Sequence, residues 1–318
     1  MPTTRLAPSP TGALHLGNAR TFLVNWAMAR QSGWRIVLRI EDLDTPRVKP
    51  GVIGLTTDLL SWLGIDWDEG PLIQSGERQH HLAAMETLAR NGHVYPCDMT
   101  RREVDAATSA QSAPQEGERE NVFPASLRPA VAPRDFTDDH GAWRFVTPDV
   151  EVAFDDMFAG RQRVRPAATI GDFVVWSRRD RQMPGQAAYQ LAVVVDDARA
   201  GVTNVVRGND LIDSAARQLL LARALGLNPE PVYCHLPLVR GQDGKRLAKR
   251  HGDTRLDTYR AQGVTPDRVI GLCAWWCGMS GEPKPMPASE FCQRFTLDRV
   301  PRRTITFRPE DDAWLLAR

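Results

Sequence analysis

The sequence predicts an α/β fold: a doubly wound, mostly parallel sheet with helices on both faces. Three observations carry this. Strand-like and helix-like segments alternate through the first third of the chain, as in βαβ units. Trp34–Ile40 is apolar at most positions, as a parallel strand covered on both faces would be. The chain has 318 residues, too many for one small domain, and 42% hydrophobic with 25% charged is an ordinary globular composition.

Thr3–Ala7 reads as a short strand running into a Pro/Gly turn. Asn18–Gln31 has helical spacing through Phe22, Leu23, Trp26, Ala27 and Ala29, and stops before Gly33. Trp34–Ile40 is the second strand. Val52–Leu63 and Glu77–Asn91 read as helices, the latter stopped at Gly92. Glu103 to Glu120 is rich in Ala, Ser, Gln, Glu and Gly without period, which predicts a surface loop. Trp143–Val146, Val150–Phe154 and Phe173–Trp176 read as short strands of an inserted subdomain. Tyr189–Val195 and Gly201–Val206 read as core strands again, and a helix starts at Asp210 or Asp213 and runs through Leu225 to a stop at Gly226. Beyond Arg255 the chain reads as helical, then proline-rich, with a polar tail and no internal repeats. The expected division is a Rossmann-like first half at 1–95, an inserted α+β subdomain at 96–187, the second half at 188–238 and a small C-terminal unit at 239–318.

No apolar run approaches the roughly 20 residues of a membrane span, so no membrane partner is expected. The N-terminus enters a strand at once, without the pattern of a signal peptide. Five cysteines, an odd number with scattered spacing, argue against a disulfide framework and for a reducing compartment, with cytoplasm as the expected location. A net charge of +1 excludes nucleic-acid binding by bulk charge. Local basic clusters stand at Arg161, Arg163 and Arg165, at Arg178, Arg179 and Arg181, and from Arg240 to Arg255; an RNA would bind through such patches if they are not merely solvated surface.

Two segments carry the chemistry. Arg5-Leu6-Ala7-Pro8-Ser9-Pro10-Thr11-Gly12-Ala13-Leu14-His15-Leu16-Gly17-Asn18 runs a strand through a turn into a helix and sets a histidine where helix-start N–H groups attract anions. Gly244-Lys245-Arg246-Leu247-Ala248-Lys249-Arg250-His251-Gly252 is a glycine-flanked cationic loop suited to clamping a polyphosphate. Together they predict an ATP site gripped from two sides.

The pair resembles the His-Ile-Gly-His and Lys-Met-Ser-Lys-Ser signatures of class I aminoacyl-tRNA synthetases. The stretches Arg5 to Pro10, Arg39-Ile40-Glu41-Asp42-Leu43-Asp44, Tyr189-Gln190-Leu191-Ala192 and Val206-Arg207-Gly208-Asn209-Asp210-Leu211 resemble the glutamyl branch. The resemblance covers about Thr4 to Leu256. It implies a class I synthetase fold with the insertion contacting the acceptor end of tRNA. It implies catalytic roles for His15, Asn18 and Lys249. It implies ATP contacts from Pro8, His15, Gly17, Asn18, Arg246 and Lys249, with Mg²⁺ accompanying ATP, and glutamate contacts from Arg5, Ala7, Ser9, Glu41, Tyr189 and Arg207. The chemistry agrees, because guanidinium forks bind carboxylates at two points and Glu41 ends a buried strand, where ligands sit in open α/β sheets. Which arginine takes which carboxylate is left open, and Glu41-Asp42-x-Asp44 could otherwise be an acidic turn.

Departures from the family matter. Asn18 stands at the second histidine position, where it can still cap the helix. Arg246 replaces the first lysine and keeps the charge. Ala248 replaces the serine, so slower or weaker catalysis is expected. The nearest family by resemblance is glutamyl-queuosine tRNA(Asp) synthetase, whose members often hold zinc through Cys-x-Cys and Tyr-x-x-x-Cys. Here those positions read Cys97-Asp98-Met99 and Phe123-Pro124-Ala125-Ser126-Leu127; only Cys97 is retained, and no zinc is expected. Cys273 and Cys277 read as buried core. The chain ends at Arg318 soon after the second signature, which by resemblance implies a catalytic core without an anticodon reader. The expected partners are L-glutamate and the tRNA(Asp) anticodon stem-loop carrying queuosine, and a monomer is expected. Two readings compete with it: a truncated synthetase charging the 3′ end of tRNA, and a non-catalytic protein that binds glutamate or its adenylate.

Overall fold

The computed structural model describes residues 1–10, 12, 14–44, 48, 50–99, 103–104, 122–178, 183–244, 247 and 254–317. The first βαβ unit forms β1 (Thr3–Leu6), α1 (Leu16–Ser32) and β2 (Arg35–Ile40). Gly33 closes α1 at φ 67°, a left-handed conformation that glycine adopts without steric cost. Next come α2 (Val52–Trp62), β3 (Glu69–Ile73), α3 (Arg78–Arg90), β4 (Val94–Pro96) and β5 (Ala142–Phe145). The chain continues through β6 (Val152–Asp156), β7 (Gly160–Val164), α4 (Pro166–Thr169), β8 (Phe173–Ser177), β9 (Gln186–Ala187), α5 (Tyr189–Arg199), β10 (Asn204–Gly208), α6 (Ile212–Ala224) and β11 (Val232–Leu236). The last part holds β12 (Val239–Arg240), α7 (Leu256–Ala261), α8 (Pro266–Trp276), α9 (Ala288–Arg294), β13 (Ile305–Thr306) and α10 (Pro309–Leu316).

A seven-stranded sheet has the order β3-β2-β1-β10-β11-β6-β7, parallel except for the β6–β7 pair. Successive residues of one strand feed opposite faces. Val206, Cys234 and Leu236 join a core with α1, α2, α8 and α9, whereas Val205 and Tyr233 join a core with α3, α5 and α6. This is the double winding expected from the sequence. The strand order reverses between β1 and β10, which makes their C-terminal ends a topological switch point. A separate antiparallel sheet, β4-β5-β8-β9, carries the rest of the middle segment.

Two readings from pattern are corrected. Tyr189–Val195 is not a strand but the first part of α5. Leu191 to Val195 are all buried, so a helix covered on most sides presents the same apolar run as a buried strand. Val150–Phe154, expected among the strands of the insertion, falls largely in β6, which extends the large sheet by pairing Asp156 with Tyr233 of β11. The loop expected at Glu103–Glu120 lies almost wholly outside the described residues. Among the described residues no helix is long and apolar enough to cross a membrane.

Candidate active site

The start of α1 is built by its own signature. His15 is the N-cap residue: its Nδ1 accepts from Gly17 N at 3.1 Å and Asn18 N at 3.4 Å, while Asn18 Oδ1 accepts from His15 N at 3.1 Å. Three backbone donors at the helix start are thereby satisfied, His15 and Asn18 reciprocally. Because Nδ1 accepts, the neutral ring carries its proton on Nε2. A Cβ at position 17 would stand 3.0 Å from His15 Cε1, so Gly17 is what lets the ring fold back over the helix start.

Both flanks of the second signature are tied to the same region. Leu16 N donates to Thr254 O at 3.1 Å and Leu256 N to Leu14 O at 2.8 Å. On the other flank, the fully buried Arg20 of α1 donates through Nη1 to Pro237 O at 2.8 Å. Lys245, Arg246, Ala248 and Lys249 themselves lie outside the described residues.

The glutamate residues implied by the resemblance stand at strand ends beside the switch point. Arg5 is on β1, Arg207 is on β10, Glu41 follows β2 and Tyr189 opens α5. Ala7, Pro8 and Ser9 form the turn after β1, and Glu41 N donates to Pro8 O at 3.0 Å, tying the two loops together. Tyr189 keeps 38% of its surface exposed, yet burial around it and the Glu41 carboxylate push its phenol up, while Arg207 and Arg5 pull it down. These groups therefore share one electrostatic neighbourhood. Asp42 is an anchor of the acidic turn: its carboxylate accepts from Ser75 N and Oγ, both at 2.7 Å.

Sequence reasoning missed the partners that organise these side chains. Arg5 Nε donates to Asp197 Oδ2 at 3.2 Å, and Arg39 Nη1 to Asp197 Oδ1 at 2.5 Å. Arg39 Nη2 donates to Glu41 Oε1 at 3.0 Å. Burial pushes the Asp197 carboxyl up, but the Arg39 and Arg5 guanidiniums outweigh it and hold Asp197 below the usual carboxylate range. The signal was available: Arg39 inside the apolar run Ile36–Ile40, and aspartates directly after Leu191–Val195, are charges that burial tolerates only when paired.

Arg207 differs. Its Nε donates to His235 Nε2 at 2.9 Å, its Nη1 to Gln218 Oε1 at 2.9 Å and its Nη2 to Leu211 O at 3.2 Å. All three acceptors are uncharged when His235 is neutral. Gln218 in turn donates to Gln190 Oε1 at 3.0 Å, and Gln190 to Ser214 Oγ at 3.0 Å. A buried guanidinium held by neutral acceptors keeps its charge for a carboxylate that arrives from outside.

The zinc-ligand positions of the resembling family hold an apolar cluster. Cys97 packs with Tyr95, Val104 and Phe123, and Met99 and Leu127 lie against them. Among the described residues no group of three or more His, Cys, Asp or Glu side chains could hold a metal ion. Cys273 and Cys277 are fully buried in the α1–α8 core, and burial pushes both thiols up. In the basic cluster on and just after β7, Arg161 pairs with Asp155, Arg163 with Glu151 and Arg165 with Asp149, all exposed, which favours the solvated-surface alternative over a cationic patch.

Residues 2–311 match the family model of tRNA synthetases class I (E and Q), catalytic domain. The chain belongs to this family. A Glutamyl-Q tRNA(Asp) synthetase from Symbiobacterium thermophilum is 44% identical to this class I synthetase over 324 residues, covering 98% of this chain and 97% of its own length. A Glutamate--tRNA ligase from Parasynechococcus marenigrum is 38% identical, covering 99% of this chain and 67% of the ligase. Among solved structures, the glutamate-tRNA synthetase of Elizabethkingia anophelis superimposes with a TM-score of 0.80 at 26% identity, covering 99% of this chain and 69% of that one. As a class I synthetase the chain is a ligase that uses ATP.

Proposed function

We propose that this ligase activates L-glutamate with ATP and transfers the glutamyl group to queuosine at the wobble position of tRNA(Asp). The observation that carries the amino-acid half is Arg207, a buried cation with only neutral acceptors, set among Tyr189, Glu41 and Arg5 at the switch point. Such a site favours a carboxylate and disfavours an amide, which leaves the buried charge uncompensated at a cost of about 1–3 kcal/mol or more. Glu41 and the turn at Ala7–Ser9 face the rest of the amino acid. The α-carboxylate attacks the α-phosphorus of ATP, and pyrophosphate leaves. His15 donates its Nε2 proton to a phosphate oxygen. Asn18 and Gly17 hold that ring, while Lys249 and Arg246 neutralise the leaving group, with Mg²⁺ accompanying ATP. A queuosine hydroxyl then attacks the acyl carbon, forming an ester and releasing AMP. The acceptor half rests on the likeness to Glutamyl-Q tRNA(Asp) synthetases matched over nearly their whole length.

ATP–pyrophosphate exchange without RNA tests the first half: strong exchange is expected with glutamate and weak exchange with glutamine. No exchange with glutamate sinks the pocket assignment. For the second half, alkali-labile label is expected on queuosine-containing tRNA(Asp) and none on tRNA(Asp) with guanine at that position. Label on the 3′ adenosine of tRNA(Glu) would transfer the assignment to a synthetase that charges tRNA ends. Adenylate retained with no labelled RNA would favour a sensor.

A further inference from the structure

Below the glutamate residues lies a buried line of three side chains from three adjacent strands. Asp156 ends β6, His235 lies on β11 and Arg207 lies on β10 directly opposite His235 in register. Their exposures are 4%, 1% and 5%, so water plays little part in holding them. Arginine always donates, so the 2.9 Å contact from Arg207 Nε makes His235 Nε2 an acceptor. The ring proton is therefore on Nδ1, which donates to Asp156 Oδ2 at 2.6 Å. The second oxygen of Asp156 is fixed by Phe158 N at 3.0 Å and Ala159 N at 2.7 Å.

We propose that Asp156 and His235 are positioning residues for Arg207, and that the neutral His235 ring aims the guanidinium while keeping it from a carboxylate partner. The inference rests on the glutamate-activating reading above. Asp156 placed directly against Arg207 would neutralise it, as Asp197 does Arg5 and Arg39. The interposed imidazole transmits orientation without the charge. Three of the five guanidinium N–H groups are taken up by His235, Gln218 and Leu211. One remains on each terminal nitrogen, enough to grip a substrate carboxylate at two points.

The arrangement requires His235 to stay uncharged. Asp156 from β6 and the Leu211 carbonyl before α6 favour its protonation; burial and Arg207 from β10 oppose it and prevail, so the ring is held below its ordinary value. Tyr233 of its own strand stacks on the ring at 5.6 Å, and burial pushes that phenol up to about 12, so it stays neutral at working pH. Once protonated, His235 would present an N–H to the Arg207 Nε–H and release the guanidinium.

The test compares two variants in glutamate-dependent ATP–pyrophosphate exchange. His235→Leu removes the acceptor and should raise the KM for glutamate about tenfold or more, with kcat and the KM for ATP nearly unchanged. His235→Gln restores an acceptor near the Nε2 position and should return the KM to within about threefold. In the wild type the KM for glutamate should climb only once the pH falls far enough below the ordinary histidine value of about 6.5 to charge a ring held beneath it, and the Gln variant should lose this climb. A folded Leu variant with the wild-type KM overturns the proposal, as does equal damage from Leu and Gln. Should the Leu variant fail to fold, the Gln variant decides: a KM that climbs toward acid as in the wild type overturns it. Wild-type protein without glutamate-dependent exchange would instead mean that the functional reading itself had failed.

Discussion

Three buried arginines surround the candidate glutamate site, and their neighbours give them different work. Arg5 and Arg39 share the Asp197 carboxylate, which ties β1 and β2 to α5. Arg207 is held instead by His235, Gln218 and the Leu211 carbonyl, and among the described residues no carboxylate is paired with it. Burial would push the Arg39 guanidinium down, yet Asp197 and Glu41 hold it raised, so that pair stays charged throughout. Lys245, Arg246, Ala248 and Lys249 of the second signature lie outside the described residues. In the reaction proposed above, Lys249 neutralises the charge that the leaving pyrophosphate gathers. Lys249→Ala should cost about 2–4 kcal/mol of transition-state stabilisation, seen mainly in kcat. Ala248→Ser should leave activity equal or higher, since it adds back a hydroxyl donor. Undiminished exchange in Lys249→Ala would mean that this loop is not the pyrophosphate clamp.

At the scale of elements, what could be read depended on whether the local signal was unique. Gly33 and Gly92 end α1 and α3 at positive φ, and a stop that only glycine makes cheaply is visible in sequence. The start of α1 was legible for the same reason, because His15, Gly17 and Asn18 act within one turn. Tyr189–Val195 was not, since burial on most sides erases the period that separates helix from strand. The partners Asp197 and His235 were hidden because each meets its arginine from a different element of the chain, and Asp156 was hidden because it reaches Arg207 only through His235. The small sheet has its own such centre. Asp172 is buried and accepts from Tyr95 Oη at 2.7 Å, from Arg128 Nε and Nη2 both at 2.7 Å and from Thr147 N at 2.9 Å. It fastens the segment around Phe123–Arg128 onto β4 and β8, next to the apolar cluster of Cys97, Met99 and Leu127. Purified protein should hold far less than one zinc per chain by elemental analysis, and a chelator should leave its urea unfolding midpoint unchanged. Asp172→Ala should instead lower that midpoint, by about 2–4 kcal/mol of stability, because several buried donors lose their acceptor. A stoichiometric zinc that resists chelation, or an Asp172→Ala protein of full stability, would show that this sheet is fastened some other way.

For the whole molecule, a net charge of +1 leaves RNA affinity to local charge, and position in the fold decides which clusters count. Arg161 and Arg163 alternate along β7, the edge of the large sheet, and Arg165 follows it; charged side chains there discourage edge-to-edge pairing with another chain. Each faces an acidic partner from β6 or the segment before it: Asp155, Glu151 or Asp149. Exposed pairs of this kind contribute about 0–1 kcal/mol each to stability and present no net field to an approaching phosphate. Replacing all six residues with glutamine should therefore leave both the affinity for tRNA and its dependence on salt unchanged. If the three arginines each neutralised a phosphate, the logarithmic salt slope would shrink by about two to three. Titration of tRNA binding between low and moderate salt distinguishes the outcomes: an unchanged slope keeps β7 as a protected edge, and a shallower one makes it part of the RNA surface.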